Sequence, residues 1–390
     1  MPSLRRLAGR DRPATVAVAV EAPLALLDIL RNGPAPLTGA GPARVGADRL
    51  RVAMVIPPFR RGSGGHATIA NLVRGLEARG HQVVLFLVDE QARHAADNVE
   101  ALFKEFFGPM AASILRGFDT WRGADIVVAT GWQTVPHVLQ LADAGARAYL
   151  VQDHEPEFYA TSAERLWAEW SYRQGLHCVC ASPWLAEVVT DRYGASATAF
   201  DLGVDHATYK PLPTHRREDL VLFYARAVTA RRAVPLGVLA LVELHRRRPG
   251  VELAVFGEAG EVELPFPARQ LGVLEPEALA HAYASATVGM CLSLTNPSLV
   301  PTEMMACGLP VVDVASDAMT ATFGAGGPVT LAEPDPLALC DAIEGLLDDL
   351  AIRAMRSRDG AELVAGRTWA GAAEQVERAL RAALEAAGCD

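Results

Sequence analysis

The stretch Leu294-Thr-Asn-Pro-Ser-Leu-Val-Pro-Thr-Glu-Met-Met-Ala-Cys-Gly-Leu-Pro-Val-Val312 combines backbone donors with a single carboxylate. Its pattern is that of a strand end, an irregular loop, a short helix opening near Pro301, a glycine stop at Gly308 and a further strand. Ser298, Leu299 and Val300 would then present backbone N–H groups at a helix start, where the dipole favours an anion. Glu303 is expected in the first helical turn. A carboxylate beside a phosphate cradle repels the phosphate, so its natural use is to bind the hydroxyls of a ribose, as acidic residues do in other nucleotide sites. The chemistry implied is that of a nucleoside diphosphate carrying a group to transfer.

Breaking a bond to a diphosphate builds negative charge on the leaving oxygen, which a metal or protein cations must stabilise. The chain has no Asp-x-Asp pair, and the expected site is metal-free. Arg226, Arg231 and Arg232, in a loop after an apolar run, are the candidate cations. An arginine keeps its charge and can grip a phosphate through two N–H groups. A buried structural ion pair is the alternative for Arg226. Asp153, His154 and Glu155 form a second polar group, expected at the end of another strand. A histidine beside carboxylates can pass or accept a proton, bind a sugar hydroxyl or cap a loop. Gly64 and Gly65 would let backbone approach the diphosphate, or simply make a tight turn.

These groups need elements to hold them. At 390 residues the chain exceeds one ordinary core, and two domains are expected. Hydrophobic content of 51% against 21% charged residues marks a globular chain, and a net charge of −10 argues against a nucleic-acid binder. The cluster Arg246-Arg247-Arg248 reads as a solvated helix end. The six cysteines, Cys178, Cys180, Cys291, Cys307, Cys340 and Cys389, contain no Cys-x-x-Cys pair and read as buried thiols in a reducing compartment. No apolar run is long enough to span a membrane. The arginines at 5, 6, 10 and 12 precede an apolar run at 16–20 that Glu21, Pro23 and Asp28 interrupt, which is not a signal-peptide pattern. A cytoplasmic location is expected, with contact at the inner membrane face left open.

Apolar runs at 51–56, 83–88, 125–130, 147–151 and 177–181 read as strands, most of them separated by helical patterns. In the first such helix Ile69, Leu72, Val73 and Leu76 share a face, and Gly80 ends it. A similar series begins at 219, with strands at 220–224, 251–256, 287–294 and 310–314. It has a helix at 236–247 and closing helices at 335–350 and 369–387. Alternating strands and helices imply an α/β architecture with parallel sheets, and two Rossmann-like halves place the strand C-terminal ends around a shared cleft. The expected division is an N-terminal extension at 1–48, a first Rossmann-like domain at 49–208, a second at 209–368 and a C-terminal helix at 369–390. Residues 209–213 read as the linker.

In this order and spacing, several segments resemble retaining glycosyltransferases of family 4, with the GT-B fold. These are Gly62-Ser-Gly-Gly65, Ser182-Pro-Trp-Leu185, Leu202-Gly-Val-Asp205, Arg226 with Arg231 five positions on, Glu303 to Val312, and Glu333-Pro-Asp-Pro-Leu-Ala-Leu339. The likeness spans roughly residues 50–385. Gln152-Asp-His-Glu-Pro-Glu-Phe158 looks like a segment of a rhamnosyltransferase-type branch that builds bacterial surface polysaccharides. The resemblance implies a nucleotide-sugar donor such as dTDP-rhamnose, a glycan, lipid-linked or small-molecule acceptor, and no required metal or other cofactor. It assigns donor binding to Gly64, Gly65, Arg226, Arg231 or Arg232, Ser298, Leu299, Val300 and Glu303, and base reading to the loops at Gly257 and at Val273 and Leu274. In such transferases the leaving phosphate itself can take the acceptor proton. One departure stands out. The family pairs two carboxylates eight positions apart, and here the first position is Thr295, which can hydrogen bond but carries no charge.

Two other classes compete. Gly62-Ser-Gly-Gly-His-Ala67 fits the turn of an NAD-dependent oxidoreductase or sugar-nucleotide epimerase. Against that, Pro57 to Arg61 separates strand from glycine, and Asp89 lies 27 positions beyond Gly62, further than the usual spacing of about 20. Thr295 motivates the other rival, a catalytically weak nucleotide- or glycan-binding partner subunit.

Overall fold

The computed structural model describes residues 24–38, 48–95 and 97–388. The arginines at 5–12, the apolar run at 16–20 and Cys389 lie outside the described residues. Two wholly parallel sheets organise the rest. The first has seven strands in the order β3-β2-β1-β4-β5-β6-β7. They are β1 (Arg51–Ile56), β2 (Gln82–Leu87), β3 (Ser113–Arg116), β4 (Ala124–Ala129), β5 (Ala144–Val151), β6 (His177–Cys180) and β7 (Ala197–Ala199). The second has six, β10-β9-β8-β11-β12-β13. These are β8 (Leu220–Tyr224), β9 (Glu252–Phe256), β10 (Arg269–Gln270), β11 (Val288–Met290), β12 (Val311–Val314) and β13 (Thr330–Ala332). Chain order reverses between β1 and β4, and again between β8 and β11. At such points the loops leaving the strand C-terminal ends diverge and open a crevice. The loops after β1, β8 and β11 therefore carry most of the candidate residues.

The central strands were legible because each is a mostly apolar run buried on both faces, β4 at every position. The edge strands were not. In β3 only Ile114 is buried, and both residues of β10 are exposed. The expected strand at 287–294 is only Val288–Met290. At Ser293 the backbone N–H turns to the carboxylate of Asp313, at 2.9 Å, instead of continuing the ladder.

Helices cover both sheets. Helix α1 (Leu24–Asn32) lays Ala25, Leu26 and Ile29 against α4 (Val135–Gln140), so the described part of the N-terminal segment rests on the first domain. Between them come α2 (Gly64–Ala78), with Ile69, Leu72, Val73 and Leu76 all buried, and α3 (Val99–Phe107). The first domain is completed by α5 (Ala163–Ser171) and α6 (Pro183–Tyr193). The second carries α7 (Val234–Arg247), α8 (Pro276–Ser285), α9 (Leu299–Ala306), α10 (Asp317–Phe323) and α11 (Pro336–Asp348). Arg246, Arg247 and Arg248 at the end of α7 are paired with Glu243, Asp341, Glu344 and Asp348. Helix α12 (Leu350–Ala365) was not expected, because it buries little beyond Gly360 and Val364 and so shows almost no periodicity. The five described cysteines are free and buried.

The last helix, α13 (Trp369–Gly388), leaves the second domain and packs on α2 of the first. The return is tight. A Cβ on Gly75 would lie 2.4 Å from that of Ala373, and one on Gly203 would lie 2.5 Å from the backbone nitrogen of Trp369. Beside Gly203, Val204 bridges Thr368. Backbone cannot yield as a side-chain tip can, so Gly203→Ala should lower stability by about 1–3 kcal/mol. A urea denaturation midpoint equal to that of the unaltered protein would refute this packing argument.

Candidate active site

After β1 the chain turns through Gly62, at φ +74°, into α2. Ser63 occupies the cap position, yet its hydroxyl does not cap the helix. It lies 2.9 Å from His66 Nδ1, while His66 Nε2 lies 3.2 Å from the Pro57 carbonyl. That carbonyl can only accept, so Nε2 carries the proton and Nδ1 accepts from Ser63. Burial lowers His66 to about 4, which keeps it neutral. Gly64 and Gly65 are exposed at the open helix start. A Cβ on Gly64 would touch nothing within 4 Å, and one on Gly65 would meet only the Gln152 side chain, at 3.6 Å. Protein packing alone therefore does not demand glycine there.

Across the crevice, α9 opens at Leu299, two residues before the expected Pro301. Proline is tolerated there because the N–H it lacks would have no helical partner. Glu303 consequently sits in the second turn, not the first. Ser298 makes no side-chain cap, and the N–H groups of Leu299 and Val300 have no helical acceptor behind them. Burial raises the Glu303 carboxyl to about 7, opposed by the Tyr283 hydroxyl at 3.4 Å. Gly257, at φ +97°, is required by packing, since its Cβ would fall 2.4 Å from the Tyr224 ring. Val273 is exposed and faces Gly62 across the crevice, and Leu274 is half-buried.

The three arginines separate. Arg226 reaches the first domain and donates from Nη1 to the Gly62 carbonyl at 2.9 Å. Arg231 also crosses, and its Nε donates to Asp153 Oδ2 at 2.8 Å. Arg232 is buried within the second domain and donates to Ser293 Oγ, so it shapes the loop that carries Thr295. Thr295 itself is buried, and its hydroxyl has no hydrogen-bond partner among the described residues.

Asp153, His154 and Glu155 diverge although they are consecutive. Asp153 faces the seam between the domains, where Oδ1 accepts from the N–H groups of His154 and Asn296, at 2.9 and 3.1 Å. His154 turns into its own domain, with Nε2 2.8 Å from the Tyr193 hydroxyl and the ring parallel to Tyr172. Burial lowers its pKa. Glu155 points inward as well, accepting from the Trp132 N–H at 2.8 Å and the Tyr149 hydroxyl at 2.7 Å. Burial raises it to about 7.

Sequence reasoning passed over Asn296, which is fully buried in the seam. Its Oδ1 accepts from Ser182 Oγ at 2.6 Å, and its Nδ2 donates to the carbonyls of Gln152 and Ala181 at 3.0 and 3.3 Å. An asparagine beside a proline reads as an ordinary turn, and only the facing domain reveals its acceptors. Nearby, a cavity of about 120 Å³ opens between Ser182 and Asp201 on one side and Ser298, Thr302 and Arg367 on the other. Among the described residues no three His, Cys, Asp or Glu side chains gather as metal ligands, and no helix is long and apolar enough to cross a membrane.

Residues 62–208 match the model of Glycosyltransferase Family 4, and residues 219–344 match that of the WsaF C-terminal domain. Residues 62–208 thus carry the family 4 glycosyltransferase match, and the second domain carries the WsaF one. It is 32% identical over 263 residues to the O-antigen biosynthesis protein RfbC of Myxococcus xanthus, covering 66% of this chain and 20% of that one. Against the phosphatidyl-myo-inositol mannosyltransferase of Mycolicibacterium smegmatis it is 30% identical over 201 residues, covering 47% and 52%. The chain thus spans a fifth and about half of these relatives' lengths. The Anabaena protein Alr3699/HepE, solved with UDP and glucose, shares the fold at a TM-score of 0.65 and 14% identity, over 85% of this chain and all of that one. The two facing parallel sheets therefore have the GT-B fold.

Asn296→Asp replaces two N–H donors with an oxygen facing two carbonyls, beside the Asp153 carboxylate. This should destabilise the protein by about 3 kcal/mol and loosen the seam, giving a larger radius of gyration by small-angle scattering. A variant with unchanged stability and radius would show that Asn296 does not hold the domains together.

Proposed function

We propose that this protein transfers a sugar from a nucleoside diphosphate to a hydroxyl acceptor in bacterial surface-polysaccharide assembly, without a metal and with retention of configuration. The observation that carries the reading is a convergence on one crevice. Arg231, Arg226, the open N–H groups at Leu299 and Val300, and the uncrowded turn at Gly64 and Gly65 all meet there. Such a site concentrates positive charge where a leaving diphosphate would gain negative charge. Glu303, beyond the helix start, would accept from the ribose hydroxyls. The matches to RfbC and to the WsaF domain support a polysaccharide role. The Gln152–Phe158 segment favours dTDP-rhamnose as donor. The acceptor would approach from the first domain, and the leaving phosphate would take its proton, since His154 and Glu155 are engaged within that domain. A cytoplasmic location, with acceptors presented at the membrane face, fits this role.

Thr295 supports one other reading. With a neutral hydroxyl where a carboxylate is usual, the chain would be a weakly active nucleotide- or glycan-binding subunit. Slow release of free nucleotide from the sugar donor, in the absence of acceptor, would count against it.

The direct test is thermal stabilisation by dTDP, UDP, GDP, ADP and NAD. A ligand present at 100 times its Kd stabilises the folded state by about 2.7 kcal/mol. One nucleoside diphosphate should raise the midpoint, and Glu303→Ala should abolish the rise. A rise with NAD alone would overturn the transferase reading.

Glu303 also predicts a pH dependence. A ribose hydroxyl donates more strongly to the ionised carboxylate than to the neutral acid, and burial holds that proton on up to about pH 7. Nucleotide affinity should therefore rise from pH 6 to pH 8, beyond the change that the phosphate's own ionisation brings. Glu303→Gln should remove the extra rise, and equal pH profiles for the two proteins would exclude this role.

A further inference from the structure

We propose that Phe158 is a positioning residue which, together with Asp153, orients the Arg231 guanidinium toward the leaving diphosphate, so that the first domain completes a phosphate clamp carried by the second. This rests on the donor reading above.

Arg231 lies on the short turn Ala230–Arg232 of the second domain, where its carbonyl accepts from the Leu294 N–H at 3.0 Å. Its side chain crosses to the first domain. Nε is tied to Asp153, and the guanidinium carbon sits 3.9 Å from the centre of the Phe158 ring. One contact fixes an edge of the planar cation and the other fixes its face. An arginine has five N–H donors. Here one is used, and the two terminal nitrogens donate to no protein group among the described residues, although the side chain is only 25% exposed. A cation held this firmly, three-quarters out of water and with four donors unspent, is arranged for an anion.

Phe158 has no other evident task. It ends the turn Glu155–Phe158, is 38% exposed, and belongs to none of the hydrophobic clusters. An aromatic face attracts a cation through its quadrupole, and a guanidinium stacks flat upon it. Leucine offers comparable apolar bulk without that face, whereas tyrosine keeps it. Because Phe158 and Asp153 lie on one loop of the first domain, Arg231 is aimed only when the domains meet. Closure and charge stabilisation then become a single event.

The test uses the full chain and whichever of UDP, GDP, ADP and dTDP binds it, with the matching nucleoside monophosphate, by isothermal titration. Phe158→Leu should weaken diphosphate binding about fivefold or more and leave the monophosphate unchanged. Phe158→Tyr should restore the difference, and Arg231→Ala should abolish it. Phe158→Leu binding like the unaltered protein, while Arg231→Ala is weakened, would overturn the positioning role and leave the donor site standing. Equal loss for monophosphate and diphosphate in Phe158→Leu would also overturn it, as general damage. Arg231→Ala binding normally, or no nucleotide binding the unaltered protein, would reject the donor reading and this inference together.

Discussion

Two separately folded sheets meet at one carboxylate. Asp153 leaves the C-terminal end of β5, and its two oxygens accept from both domains: His154 on its own side, Asn296 and Arg231 on the other. A carboxylate this deeply buried is tolerable only when its charge is matched and its lone pairs are filled. Both conditions fail if the domains part without water replacing the lost partners. The seam is therefore polar and specific where an ordinary domain contact would be apolar and forgiving. Asn296 adds three more bonds whose partners, Ser182 and the carbonyls of Gln152 and Ala181, lie at the ends of β5 and β6.

The rest of the site follows from that seam. The loop from Ser293 to Asn296 must peel away from β11 to reach the other domain, and Asp313 and Arg232 hold it in its departed path. Arg232, which in sequence is an alternative to Arg231 as the phosphate ligand, is used for this. Arg231, one residue earlier on the same turn, points across the crevice instead. Adjacent residues on a tight turn project in different directions, so one became scaffold and the other remained available. The same divergence separates Asp153 from His154 and Glu155.

What could be read in advance was governed by periodicity and by backbone chemistry. Ile69, Leu72, Val73 and Leu76 announced a helix, and the run at β4 announced a buried strand. The strands β3, β7 and β10 did not, because an edge strand with one neighbour needs no long apolar run. Helix α12 was silent for a related reason: its contact with α9 is made by Gly360 against Met305, where the absence of a side chain matters. The start of α9 was misplaced by two residues because proline is welcome throughout the first turn.

By itself, the sequence determined two α/β halves, the donor-rich opening of α9, a carboxylate just beyond it and arginines after β8. Each of these depends on local order along the chain, through strand periodicity, helix capping and the residues that follow a strand end. Only the tertiary structure decided which of Arg231 and Arg232 crosses to the other domain, and that Asp153 serves the seam while its neighbours turn inward. It alone showed that Asn296 locks the domains and that Phe158 lies beneath a cation from the other half. Those assignments depend on which side chains meet across the crevice, and no spacing within one domain encodes the partner presented by the other.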